Sequence, residues 1–459
     1  MILLIPLVAL VPAAPAEDPL PAFPGAEGFG AHAEGGRGGD VAIVTNLDDS
    51  GPGSLRHAVT TASGPRTVTF EIAGTIDLES PLAIVADHLT IAGQTSPGGI
   101  TLRGYPVTVA SSSHVVLRYL RVRPGDVNAA GLPGKPGRGN ADLAGDAGDA
   151  LSVVSSEHVI VDHVSASWGM DETLSVTDSA DVTVQHSIIS ESLNDSFHAE
   201  GPHGYGSLVR GTGERGYTFA HNLWAHHQRR MPAFGGDQYP EPGESRAGID
   251  LDLVGNVVYD WSLLPVHIVE GHADLRVNLE GNTFVSGPGA PGCACVLINF
   301  EVTADELAVH RAGNVWDDDG DGTADPRPVV DTDAAGPVTW VADHHAFDRP
   351  PPTVADPATA YNHVLAEAGT SLDRDAADRR VVADVADRSG SVINTQDEVG
   401  GWPTVASEPA PADDDRDGMG DSWEASTTTS TPPIRPTATA KACHGAYTNL
   451  EVYLAALAA

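Results

Sequence analysis

A strand-length pattern that keeps returning from about residue 85 onward limits what this chain can fold into more than any other feature. Alternating apolar residues lead into a polar pair containing His or Asn, and a further apolar stretch follows. Copies occupy residues 88–92, 114–118, 158–163, 181–186, 216–222, 250–256, 274–282 and 306–314. The copies recur every 22 to 44 residues or about that, with no sustained helical period and with Gly and Asn at the turns. That spacing predicts an all-β parallel solenoid, in which each coil buries its apolar residues against the next, rather than a sandwich of hairpins. The polar residues at 163, 186, 222, 256, 282 and 314 then read first as corner ladders that satisfy backbone groups between coils. Insertions at 128–148 and 191–215 would emerge on one side and build a cleft.

With 459 residues the chain is long enough to bury a core without metal or disulfide staples. Its first 16 residues hold an apolar run, Ile2 to Val11, followed by Ala14-Pro15-Ala16, the small-x-small form of a signal peptidase site. Residues 1–16 therefore read as an export signal, although no basic residue precedes the run; a buried strand is the alternative. The expected product is a secreted, extracellular monomer. No other run is long enough to span a bilayer.

Acidic residues number 63 against 25 basic ones, for a formal charge of −38, and lysine occurs only at Lys135 and Lys441. Such a surface repels nucleic acid and anionic membranes, and both are excluded as partners. It also repels a polyanionic substrate, so activity on an acidic polymer requires a local inversion of potential by arginine or by divalent cations. Three cysteines, Cys293, Cys295 and Cys443, leave any pairing open.

The repeat fades beyond about residue 345, which divides the chain into a solenoid, 17–345, and a Pro- and Asp-rich tail, 346–459, expected to run extended along it or to serve as a linker. Within the tail, Asp413, Asp415, Asp417, Gly418 and Glu424 reproduce the D-x-D-x-D-G-x5-E spacing of a calcium loop: alternating oxygen ligands, a glycine for the bend and a closing bidentate acid. A solvated acidic linker is the alternative. A second run, Asp317, Asp319, Asp321 and Gly322, has Pro328 where the closing acid belongs, and stays open between a solvated turn and a weak calcium site.

Asp149 and Asp171 fall one coil apart, where strand spacing brings side chains to about 5 Å. Two carboxylates so placed need a cation between them or take up a proton; calcium is the natural cation, and solvated turn acids are the alternative. Arg230 ends the following coil, with Met231 and Pro232 after it. An isolated surface arginine would contribute little; one placed beside those acids is positioned for chemistry on an anion.

Taken together, the runs 23–30 (FPGAEGFG), 35–39 (GGRGG), 50–56 (SGPGSLR), 90–97 (TIAGQTSP), 121–126 (RVRPGD), 161–163 (VDH), 190–194 (SESLN), 203–206 (HGYG) and 230–232 (RMP) resemble the pectate lyase family, in particular its secreted bacterial branch. The resemblance implies a right-handed parallel β-helix that cleaves α-1,4-polygalacturonate, the acidic polysaccharide of plant cell walls, by Ca2+-assisted β-elimination. It implies Arg230 as catalytic base, His203 and Arg229 as substrate-binding residues, and Asp149 and Asp171 as calcium ligands. Three positions depart from the family: its third calcium carboxylate falls at Ser175, with Glu172 or Asp146 as candidates to compensate, and a usual substrate-binding lysine is Glu200. The arginine that follows the Arg-x-Pro motif is likewise Ala233 or Gly235. A polygalacturonase-like hydrolase and a non-catalytic carbohydrate-binding solenoid are the rival readings. Hydrolysis needs a carboxylate acid and base flanking the bond, whereas this sequence pairs acids with an arginine.

Overall fold

A computed structural model describes residues 19–211, 215–236, 248–268, 274–289, 297–299, 306–427 and 447–459. The export signal at 1–16 and all three cysteines lie outside the described residues. Within them the chain winds into coils whose strands stack as three sheets of 11, 10 and 9 strands. One full coil runs Leu151–Val154, Glu157–Asp162 and Ser165–Ser167; the next runs Leu174–Thr177, Ala180–Gln185 and Ile188–Ser190. Each strand pairs in parallel with its counterpart one coil away, as Leu151 with Leu174 and Val159 with Val182. The antiparallel exception is Arg327–Pro328 against Val315–Asp317.

Period-2 alternation explains both faces. Val153, Val176 and Val209 point inward in one sheet and Val161, Val184 and Phe219 in another, forming one continuous buried core. The asparagine part of the expected ladder is present. Asn256 Oδ1 accepts the Asn222 backbone N–H at 2.9 Å, Asn282 Oδ1 accepts that of Asn256 at 2.9 Å, and Asn314 Oδ1 accepts that of Asn282 at 3.0 Å. The histidines at 163 and 186, expected to bond backbone groups in the same way, instead stack ring on ring with each other and with His221, with centroids 4.9 and 5.0 Å apart.

The tail read as extended from its proline content instead contains the helices Pro357–Glu367, Ala376–Asp387, Asp421–Thr427 and Asn449–Leu457. Proline does not break the chain here: Pro357 occupies the first helical turn behind the N-cap Asp356, where its missing N–H costs nothing. The first two helices place Val364, Val381 and Val385 against Ile188, Leu223 and Val257 on the 10-stranded sheet. Residues 343–350 do run along the solenoid, with His345 and Asn278 exchanging hydrogen bonds of 3.0 and 3.1 Å.

Candidate active site

Four successive turns at one corner, each leading from the 10-stranded to the 9-stranded sheet, assemble the site. The first three carry Asp149, the pair Asp171 and Glu172, and the segment His198 to Tyr205; the fourth carries Arg229 and Arg230. Parallel bridges Glu172–Tyr205 and Tyr205–Arg229 tie them together. Gly206 permits the closest approach, because a Cβ there would lie 2.4 Å from the Arg230 carbonyl oxygen. Arg230 takes the left-handed backbone conformation at φ 65°, which turns the chain out of strand Leu223–Arg229 before the cis Met231–Pro232 bond. A non-glycine residue held there has its side-chain direction fixed by the fold rather than by preference.

The structure brings Asp149, Asp171 and Arg230 together, with one revision. Extending the Leu151–Leu174 register back by two residues puts Asp149 opposite Glu172 rather than Asp171, and the Glu172 N–H donates to Asp149 Oδ1 at 3.1 Å. Carboxylate oxygens of Asp149, Asp171 and Glu172 all lie within 4.8 Å of one another. Glu172, one of the two acids the sequence offered in place of Ser175, is therefore the third acid; it lies two residues before strand Leu174–Thr177, while Ser175 pairs with Ser152 in the sheet. Arg230 Nη1 forms an ion pair with Glu172 Oε1. Tyr205 lies beneath both cations, its ring 4.4 Å from the Arg229 Cζ and 4.3 Å from that of Arg230, and it was missed in the sequence because a lone tyrosine carries no spacing signal.

Electrostatics at the corner follow from burial and crowding. Burial, then the neighbouring Glu172, pushes the Asp149 carboxyl up to about 7. Burial, then Asp149, raises Asp171 to about 6. Burial carries Glu172 to about 7 against the opposing pull of Arg230. Three carboxyls raised together form a site short of positive charge, with oxygen donors only; that donor set fits calcium, which takes many hard oxygen ligands. His203 Nε2 lies 2.9 Å from Asp171 Oδ1 and its ring stacks on His198 at 3.6 Å. Burial, then the Arg230 cation, lowers His203 to about 4, so it faces the site as a neutral imidazole. Glu200, largely exposed, lies 3.8 Å from His203 and adds a negative charge to the rim.

His226 and His227, adjacent in sequence to the arginines, do not join them. His226 is buried between Asp260, at 2.7 Å, and Asp384, at 3.5 Å, and those hydrogen bonds lift it to about 9 despite burial. His227 contacts Ser192 Oγ at 2.7 Å and the Ile189 carbonyl at 3.0 Å, and burial lowers it to about 3. The second insertion loop locks onto the first through Lys135, whose Nζ donates to the Asp195 and Ser196 carbonyls at 3.2 and 2.5 Å.

Far from this corner, the tail turn at 413–424 closes on itself. Asp413 accepts the backbone N–H groups of Asp417 and Gly418 at 3.2 and 2.9 Å, and Asp417 accepts that of Met419 at 3.1 Å. Glu424 is buried in the helix that follows, and Met419 packs on Leu450, Tyr453 and Leu454. In the second acidic run, Asp325 rather than a residue at 328 joins Asp317 and Asp319.

No family model matches the sequence. Two fungal proteins match over most of their length: the probable pectate lyase C of Aspergillus flavus is 33% identical over 412 residues, 88% of this chain and 87% of that protein. That of Emericella nidulans is 34% identical over 425 residues, 91% and 89% of the two. Solved folds agree. The cedar pollen allergen jun a 1 superposes with a TM-score of 0.50 at 19% identity, over 75% of this chain and 92% of its own. A pectate lyase bound to a hexasaccharide gives 0.51 at 13%, over 78% and 99%. The relatives named are fungal, so the bacterial branch expected from the sequence finds no support in them. Shared sequence over nearly the whole length and a shared three-sheet solenoid lead to one conclusion: the chain belongs to the pectate lyase family.

Proposed function

We propose that this chain is a secreted, monomeric lyase that cleaves α-1,4-polygalacturonate by β-elimination and releases 4,5-unsaturated oligogalacturonides. The observation that carries the reading is the ion pair of Arg230 with Glu172 inside a cluster of three carboxyls of raised pKa. Asp149, Asp171 and Glu172 would hold calcium, which supplies positive charge to a bound uronate and makes its C5 hydrogen more acidic. Arg230 takes that proton. The C5–H electron pair becomes the C4–C5 double bond, and the C4 oxygen leaves with the electrons of its bond and gains a proton. A guanidinium normally keeps its proton, so the role requires an arginine whose acidic partner is engaged elsewhere, and an alkaline medium. Arg229 and His203 flank the base on the Tyr205 platform and would contact the sugar acids.

With Glu200 where a lysine is usual, fixed positive charge is thin, and the enzyme is expected to rely on calcium heavily or to favour partly methylated pectin. The second proposed calcium site, Asp413, Asp415, Asp417 and Glu424, would fasten the tail helices to the first coils. Mass spectrometry of products from polygalacturonate tests the reaction: elimination yields oligomers lighter by one water than the hydrolysis products at the new non-reducing end. Saturated products alone would establish the hydrolase instead, and intact polymer that stays bound would establish the binding solenoid.

A further inference from the structure

At the far end of the solenoid lies a cluster that the catalytic corner does not use. Glu280 closes strand Asp274–Glu280, His310 lies on the adjacent strand Glu306–Ala312, and His344 follows strand Thr339–Val341, the last of the 11-stranded sheet. His310 Nε2 is 3.0 Å and His344 Nδ1 3.1 Å from the same oxygen, Glu280 Oε1. All three donor atoms fall within 4.8 Å of one another.

Two features separate this cluster from the histidine ladders. Ladder rings lie nearly parallel, as His186 on His221 at 14°, so their nitrogens point side by side. His310 and His344 meet at 75°, and nitrogens of both converge on one carboxylate. Second, Glu280 is buried, yet among the described residues no arginine or lysine pairs with it; its ion pairs are with these two histidines. A buried carboxylate calls for a cation, and two ring nitrogens converging on it complete a set of donors for one. Two imidazoles and one carboxylate are the donor set of a tetrahedral zinc-type ion, whose bonds of about 2.0–2.2 Å hold neighbouring donors roughly 3.3 Å apart, close to the observed spacing. Calcium, which takes oxygen ligands, fits it poorly.

We propose that Glu280, His310 and His344 form a zinc site, with water completing the shell on the exposed His344 side, and that it staples the end of the solenoid. Coils in such a fold are held only by their neighbours, so the terminal coil is the weakest. The ion would join three consecutive strands of the 11-stranded sheet and anchor the start of the returning segment.

The test uses the full chain, stripped of metal and titrated with zinc by calorimetry in saturating calcium, so that the all-oxygen sites are filled. We expect a zinc ion whose affinity falls by at least about 10-fold in Glu280→Gln and in His344→Ala, since loss of a direct ligand costs no less than loss of an outer partner. His344 is on the surface, so its replacement leaves the fold intact. Zinc should also slow hydrogen exchange in strands Glu306–Ala312 and Thr339–Val341 of the parent chain and not of His344→Ala. Equal zinc binding by parent and variants would place the ion at another histidine cluster and overturn the proposal, as would the absence of zinc binding.

Discussion

Protons and calcium should compete for the catalytic corner, and the structure sets the scale. Asp149 and Glu172 titrate near 7 and Asp171 near 6 in the metal-free protein, so each must lose its proton before it can hold an ion. Were the three independent, the apparent calcium dissociation constant would rise ~200-fold between about pH 8 and about pH 6. Protons shared within the cluster reduce that figure, and a rise of at least about tenfold is expected. The sign for stability follows as well. Carboxyls whose folded pKa is raised penalise the folded metal-free chain above about pH 7, and that penalty is relieved as pH falls toward the ordinary carboxylate value near 4. The gap in Tm between calcium-loaded and metal-free protein should therefore narrow on acidification. Calorimetric titration of the Asp413→Asn variant, in which the tail turn is disabled, isolates the corner. Glu172→Gln in that background should bind calcium more weakly at pH 8 and lose part of the pH slope. A dissociation constant that stays flat from pH 8 to pH 6 would mean that these carboxyls are already ionised or do not bind the ion, and would rule out proton–calcium competition at this corner.

Other perturbations separate chemistry from scaffold. Arg230→Ala should lower kcat on polygalacturonate by about 10²–10⁴-fold, the range lost with a proton-transfer group, while circular dichroism stays at the parental spectrum. Glu200→Lys should lower KM for polygalacturonate by about two- to fivefold, the scale of an exposed charge, and much less for highly methylated pectin. Asn256→Ala removes two ladder bonds to Asn222 and leaves buried backbone groups unpaired, so denaturant unfolding should show a loss of about 2–4 kcal/mol with activity at low temperature retained. Asp413→Asn should lower Tm in calcium but not in chelator, with kcat unchanged.

The solenoid was legible because its signal is redundant: apolar alternation, corner Asn and histidine recur on coil after coil, and each copy supports the others. Asn222, Asn256, Asn282 and Asn314 could be placed in one ladder from spacing alone. The corner was legible only in part. Asp149, Asp171 and Arg230 stand out as charged residues at strand ends, but the register that sets Asp149 against Glu172 depends on turn lengths, and the insertions at 128–148 and 191–215 hide them. Tyr205 and the neutral state of His203 are products of packing, visible only once four turns stack. The tail misled for a local reason, since Asp356-Pro357 and Asp375 cap helices while resembling the breakers of an extended chain.

The most direct test of the central claim is the initial rate at which polygalacturonate acquires the ultraviolet absorbance of the 4,5-unsaturated uronide, measured in calcium and again in chelator. Absorbance should rise in calcium, stop rising in chelator, resume when calcium is restored, and be absent from Arg230→Ala. Undiminished absorbance in chelator, or cleavage that raises reducing ends with no absorbance at all, would contradict the claim.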